Sequence, residues 1–450
     1  MKVSSWRTQY KNAHSIDGIL YVCGLRAGSR HDEGPNLLHE HGADGQPVEA
    51  DFYSTMSRRL RFTQATPGAC HFLGVTDGSL YAWGSPRTPR SRVEGLQIHR
   101  VSMGILPRIG DPISIPTVVP SCCDGPHSHP LDRAGKIKQI HIAGCGDQKC
   151  AMVTQCGDLY YFGIKSDFSD ECPIPTSMMS ILDLNLQRVR VASVALGWHH
   201  GLLVDVVGRV FSFGDNDFGQ LGLGHMDTVD RATPIHSLVE EGVIVVSVAA
   251  GMNHSLCLSS VGEVYAFGDN GWGQLGCESD DPFHREPTHV LISSSDSVDE
   301  SVVLSGIMSV SAGLNMSAFV TSDGALYTCG QGNEGGLGTD PNFNYPQLVN
   351  DLASHHVTCI SVGGGHMVAL TADGLCFAWG NNDDGQCGRE ESEDDKIRSG
   401  EDRGWHDDGG PNGLSVYDVA QVALPARVRS VCAGDTATFF ILGEPLRQKH

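Results

Sequence analysis

The sequence predicts an all-β fold: a seven-bladed β-propeller of four-stranded antiparallel blades, closed by pairing of the N- and C-terminal segments. Three observations predict it. A short strand framed by two glycines recurs seven times at one fixed offset. A loop of pattern G-x-x-H stands a fixed distance upstream of several copies. The two chain ends hold complementary halves of one of these seven units.

The first glycines are Gly18, Gly78, Gly157, Gly208, Gly262, Gly324 and Gly374. The second are Gly24, Gly84, Gly163, Gly214, Gly268, Gly330 and Gly380, six residues later in every unit. Between them lie segments such as Leu159-Tyr160-Tyr161-Phe162 and Val264-Tyr265-Ala266-Phe267. Aromatic and aliphatic side chains occupy both alternating faces, the pattern of a strand covered on both sides. Asp17, Asp77, Asp323 and Asp373 precede a first glycine, and Asp-Gly favours a hairpin turn.

A partner strand is expected after each G-x-x-H loop: Gly197 to His200, Gly251 to His254 and Gly363 to His366. Each histidine stands 14 residues before a second glycine; Met316, Lys149 and Cys70 occupy the same column elsewhere. A β-rich run precedes each loop, as in Val357 to Val362. Downstream comes Gly-Gln-Leu-Gly at 219–222 and 273–276, with variants at 335–338 and 385–388. A segment containing Pro234, Pro287 or Pro346 then suits an edge strand. Four strands per unit cannot bury both faces alone, so the units must stack. A ring leaves only short, protected edges. The N-terminal unit lacks the upstream half that residues 431–442 supply, so one blade is expected to be shared by both ends.

The pattern Gly251-x-x-His254, Gly262 to Gly268 and Gly273-Gln274-Leu275-Gly276 resembles the regulator-of-chromosome-condensation repeat family. The resemblance spans nearly the whole chain, strongest over 190–390 and weakest over 1–170. It implies a seven-bladed propeller but no single function, since the family includes exchange factors, ubiquitin ligases, a plant ultraviolet-B photoreceptor and scaffolds. In the exchange factor, residues of the G-x-x-H loops face a GTPase. The corresponding positions here are Asp147, Trp198, His199, Asn253, Asn315 and Asp435. The basic chromatin-binding tail of that factor has no counterpart here, and the first blades depart from the pattern around its GTPase-inserted wedge. One Gly-Trp-His-His loop, without arginine, argues against a photoreceptor-type tryptophan cluster. A ligase would need a further catalytic domain, and the propeller is expected to occupy all 450 residues of this sequence.

The chain has 450 residues, 55 of them glycine, and a net charge of −22. Such a surface repels phosphate backbones and anionic lipid, so neither nucleic acid nor membrane is an expected partner. The 15 scattered cysteines and the absence of an apolar leader after Met1 point to the cytoplasm or nucleus. One domain spanning 1–450 is expected, with insertions at 25–67 and 85–143 and an acidic loop without fixed structure at 389–413. That loop carries Glu390, Glu391, Glu393, Asp394 and Asp395 and suits a basic partner segment.

Cys122, Cys123, His127 and His129 are the weak candidates for a metal site, against a polar surface loop; their spacing matches no zinc finger or ribbon. His200, His254 and His366 recur once per blade, which marks architecture: a buried imidazole bonded to a neighbouring loop backbone. Glycine strings such as 268–273 open no helix, and no phosphate-loop, nucleophile-elbow or metalloprotease motif occurs. No cofactor is expected. The reading is a monomeric, non-enzymatic protein-interaction propeller, a scaffold or regulatory adaptor. The alternative is guanine-nucleotide exchange on a small GTPase.

Overall fold

The computed structural model describes residues 20–24, 48–49, 62–67, 71–76, 79–84, 117–118, 137–142, 149–154, 157, 159–163, 176–177, 189–277, 279, 281–293, 301–332, 337–339, 345–382, 385–388, 415–435 and 437–443. They form seven four-stranded antiparallel sheets and one two-stranded hairpin. Numbering blades by their Gly-to-Gly strand, blade 4 is Val191–Leu196, His200–Asp205, Val210–Gly214 and Val229–Pro234. Blade 5 is Val245–Ala250, His254–Ser259, Val264–Asp269 and Phe283–His289. Blade 6 begins with Ile307–Ala312 and Met316–Thr321, and blade 7 with Val357–Val362 and His366–Thr371.

Blade 1 is built from both ends of the chain. Its strand order is Val48–Glu49, Leu20–Gly24, Ala437–Leu442, Val428–Ala433. Leu20 pairs with Ile441, Val22 with Phe439 and Gly24 with Ala437. The first strands of successive blades meet in a closed circle, including blade 1 against blade 2. There Arg429 Nη2 donates to the Phe62 carbonyl at 3.1 Å.

The segments expected as insertions also carry blade strands. Val48–Glu49 and Gln64–Pro67 fall within 25–67; Thr117–Val118 and Ile137–Ile142 fall within 85–143. The repeat continues through them with little sequence signature, because the two-residue edge strands carry no glycine frame and the first strands Gln64–Pro67 and Ile137–Ile142 lie outside the Gly-to-Gly segment. Residues 389–413 lie outside the described residues.

One register differs from the sequence reading. His71, not Cys70, stands opposite Gly84. Thr76 pairs with Ser79, so this hairpin has a two-residue loop. In blades 4 to 7 the loop has three residues: in blade 4 the Asp205 N–H donates to the Arg209 carbonyl across Val206-Val207-Gly208. Gly208 sits there at φ +89°, a left-handed conformation that costs glycine little. One residue fewer in the turn shortens the spacing by one.

The core lies between blades. Leu202 and Val204 of blade 4 pack with Val248, Cys257 and Phe267 of blade 5. Similar clusters join blades 5 and 6, 6 and 7, and 7 and 1. The third strands are covered on both faces, as their pattern requires; Val210, Phe211, Ser212 and Phe213 are all buried.

Polar relays cross the same interfaces. His254 Nε2 lies 3.0 Å from the Ser317 hydroxyl of blade 6, which donates at 2.7 Å to the Gln274 carbonyl of blade 5. His200, Ser255 and Gln220 repeat this at 2.9 and 2.8 Å, and His366, Thr438 and Gln386 at 2.7 Å for both steps. Each imidazole thus bonds a neighbouring hydroxyl, and the backbone of the next blade also acts on two of them, at His254 for His200 and at Met316 for His254. Each hydroxyl spends its one proton on the carbonyl, so the histidine must donate from Nε2. Nδ1 is then the bare nitrogen, buried and without a hydrogen bond. Burial holds the His254 pKa down to about 4 and those of His200 and His366 to about 3. Between blades 6 and 7 the column holds Met316, and the hydroxyl position holds Met367; both join one apolar cluster. The two partners change together, which leaves no orphaned polar group.

Deleting residues 430–450 removes the strand that joins Leu20–Gly24 to the ring. Loss of the cooperative thermal transition is expected, and an unchanged melting temperature would refute the shared blade. The histidines set a pH dependence. Their folded values lie below 6.5, so between about 4 and 6.5 the unfolded chain binds protons that the folded chain excludes. Their contribution is complete above pH 6.5 and is lost as pH falls toward 4. Denaturant titrations should show a slope of about 1.4 kcal/mol per pH unit for each histidine, and His254→Met should flatten it by one such increment.

Candidate functional site

Antiparallel order sends the first-to-second and third-to-fourth connections of every blade to one end of the ring. The G-x-x-H loops therefore share that end. Each is closed by the same bond: Gly197 N–H to His200 O, Gly251 to His254, Gly313 to Met316, Gly363 to His366 and Gly434 to Ala437, all 2.8–2.9 Å. The residue before the histidine column is tethered too. The His199, Asn253, Asn315 and Gly365 carbonyls accept from Asp215, Asp269, Gln331 and Asn381 at 2.9–3.0 Å.

Neighbouring loops touch near the axis. The Met252 N–H reaches the Leu314 carbonyl at 2.9 Å, and the Gly364 N–H reaches the Gly434 carbonyl at 3.0 Å. A Cβ on Gly251 would overlap the Gly313 carbonyl and the His254 ring. Only glycine lets adjacent loops approach so closely, which accounts for the first letter of the motif.

The structure brings five of the six sequence-predicted contact residues to this end. Trp198 is half-buried and stacks on exposed His199, with ring centroids 5.5 Å apart and planes at 15°. Its Nε1 is buried and makes no hydrogen bond. Asn253 and Asn315 are half-buried, and Asn315 Nδ2 donates to Gln331 Oε1 at 2.9 Å. Asp435 is half-buried beside Gly364. Asp147 lies outside the described residues, as do Glu390, Glu391, Glu393, Asp394 and Asp395, and Cys122, Cys123, His127 and His129. Among the described residues, no group of three or more His, Cys, Asp or Glu side chains is placed to hold a metal ion.

The Gly-Gln-Leu-Gly loops open at the same end, farther from the axis. They do not offer their amides to an anion. The Phe218 and Trp272 N–H groups donate to Gln220 Oε1 and Gln274 Oε1 at 2.9 and 2.8 Å. The Leu221 and Leu275 N–H groups donate to Asn216 Oδ1 and Asn270 Oδ1 at 3.0 and 3.1 Å. Buried Asn and Gln side chains thus rigidify each loop from inside. They leave Phe218 and Trp272 exposed, with Asp215, Asp217 and Asp227 exposed nearby in the chain. Sequence reasoning missed these aromatics; the signal was an aromatic immediately before Gly219 and Gly273.

The fold and the repeats have known counterparts. A family model described as RCC1-like domain matches residues 119–400, and one for the regulator of chromosome condensation (RCC1) repeat matches 373–441. The mouse E3 ubiquitin-protein ligase HERC2 is 27% identical over 409 residues, covering 79% of this chain and 8% of that protein. The ultraviolet-B receptor UVR8 of Arabidopsis thaliana is 31% identical over 264 residues, covering 58% of this chain and 56% of the receptor. The chain thus spans less than two thirds of the length of these relatives. Among solved structures, Prp20p from Saccharomyces cerevisiae superposes with a TM-score of 0.66 at 18% identity, over 98% of this chain and 95% of that one. Human WBSCR16 superposes with a TM-score of 0.64 at 18% identity, over 96% of this chain and 100% of that one. Repeats, seven blades and family models agree: the chain belongs to the RCC1-like domain family.

Proposed function

We propose that this chain is a protein-interaction propeller, a scaffold or regulatory adaptor that does no covalent chemistry. Its binding face is the end of the ring carrying the G-x-x-H loops. One observation carries the reading: loops from blades 4, 5, 6 and 1 converge there, each pinned by backbone bonds, and present Trp198, His199, Asn253, Asn315 and Asp435. Divergent side chains on a rigid scaffold suit recognition. A stacked, half-buried tryptophan supplies the kind of anchor that dominates interfaces. The net charge of −22 and the exposed aspartates favour a partner with a basic surface.

The second reading is nucleotide exchange. It is supported by the whole-length likeness to Prp20p, a protein whose reported binding partners are Gsp1p and histones. Both readings place a protein on the same face, and both are compatible with a monomer in the cytoplasm or nucleus.

Mixing the purified chain with a panel of nucleotide-loaded small GTPases separates the two. Binding without faster nucleotide release is the expected result; stimulated release overturns the first reading in favour of the second. Trp198→Ala and Asn253→Ala should each weaken capture of the bound partner by about 2 kcal/mol, roughly thirtyfold, with melting unchanged. Removing residues 389–413 tests the acidic loop: a lower association rate at low salt is expected, and no change in rate dismisses it.

A further inference from the structure

The opposite end of the ring has a different character. It holds the second-to-third-strand turns and the connections between blades. The turn residue before the first glycine is Asp in four blades, yet Val207 and Val261 replace it in blades 4 and 5. Both are exposed, at 62% and 72%. Valine there contributes nothing to the turn, since β-branched side chains are disfavoured in turns and aspartate is favoured.

These valines belong to a continuous patch. Ile244, 54% exposed, lies between the two turns. Its Cγ2 faces the Cα of Gly208, and its carbonyl accepts from Ser260 N–H at 2.7 Å. Val246, on the strand that begins one residue after Ile244, is 52% exposed. Gly262 accepts from Ile307 N–H at 3.0 Å, which sets Met308, 49% exposed, beside the blade 5 turn. Val206 completes the arc at blade 4. Scattered apolar side chains are ordinary on a surface; a run across three adjacent blades is not.

Carboxylates border the patch. Glu240 and Glu241 lead into Ile244 by sequence, and Glu263 closes the Val261 turn. Burial first, then Glu263 and Glu241, pushes the Tyr265 hydroxyl upward, so both carboxylates act on one locality. Asp323 occupies the next turn, where Ser322 N–H donates to the Gly306 carbonyl at 2.9 Å. On the blade 4 side Arg209 is neutralised by Asp205 at 2.7 Å, and Arg190 is the cation next to Val206. An apolar strip with an acidic border repels anionic lipid and complements aliphatic anchors flanked by Lys or Arg.

We propose that the end of the ring formed by Val206, Val207, Ile244, Val246, Val261 and Met308 is a second docking surface, for a segment of another protein that alternates aliphatic and Lys/Arg side chains. Two faces at opposite ends of the ring let one propeller hold two proteins at once.

The test uses the full chain and three labelled peptides of equal length: alternating Leu-Lys, Ser-Lys and Leu-Glu. Anisotropy titrations should show Leu-Lys binding about tenfold tighter than either other peptide, a difference of about 1.4 kcal/mol. Val207→Asp with Val261→Asp restores the turn residue of the sister blades, so melting should hold or rise. That pair should bring the Leu-Lys to Ser-Lys ratio to about one, despite its added negative charge. Val207→Ser with Val261→Ser gives the same readout without a charge change, should the first pair fold poorly. Trp198→Ala, at the other end, should leave the ratio unchanged. Equal binding of all three peptides, a ratio that survives both valine pairs, or stronger binding to phosphatidylserine vesicles overturns the proposal. So does sedimentation as a dimer that the valine pairs disperse, which would make the occupant a second copy of this chain.

Discussion

A four-stranded sheet with apolar side chains on both faces has no stable existence alone, and that constraint governs the whole molecule. Each blade is covered only by its two neighbours, so the apolar clusters lie between sheets, and removing any blade exposes two others. An open stack would leave two such faces bare. The circle abolishes both. Its last seam is covalently discontinuous, and the Leu20–Gly24 strand beside Ala437–Leu442 bridges it with ordinary ladder bonds.

Within this frame, the His–hydroxyl–carbonyl relays act as inter-blade registers. Apolar packing tolerates sliding; a buried donor facing one acceptor does not. Each relay ties a G-x-x-H loop to the next blade and back to its own Gly-Gln-Leu-Gly loop. The same buried groups that order the core therefore hold the recognition loops in place. The Met316 and Met367 pair shows that one seam replaces the relay by apolar packing, while the Val362 N–H still donates across it to Ser311 Oγ at 3.0 Å.

Much of the fold was legible because strict glycine spacing reports backbone geometry. Gly208 and Gly214 both have positive φ, which other residues adopt at a cost, so their offset survives where side chains drift. The shared blade was legible for the same reason: half a unit at each end has one place to go. Short edge strands such as Val48–Glu49 and Thr117–Val118 were not legible, since two residues carry no periodicity. The His71 register was hidden by a turn one residue shorter than its siblings. At the loop face, the columns pointed to Trp198, Asn253 and Asn315 by position. Phe218 and Trp272 went unnoticed because the Gly-Gln-Leu-Gly pattern around them read as turn chemistry. The relay hydroxyls were invisible, because Ser255 and Ser317 belong to different blades from the histidines they serve.

The register of blade 1 also determines how the domain answers to force. Leu20 and Ile441 face each other in antiparallel strands, so the chain enters and leaves the ring at one point. Tension between the two ends loads that ladder as a zipper, one hydrogen bond at a time, rather than in shear across several together. The joint that makes the ring thermodynamically whole is therefore its mechanically softest seam. A larger polypeptide carrying this propeller between two tethered parts would open it there first, leaving the other six blades stacked.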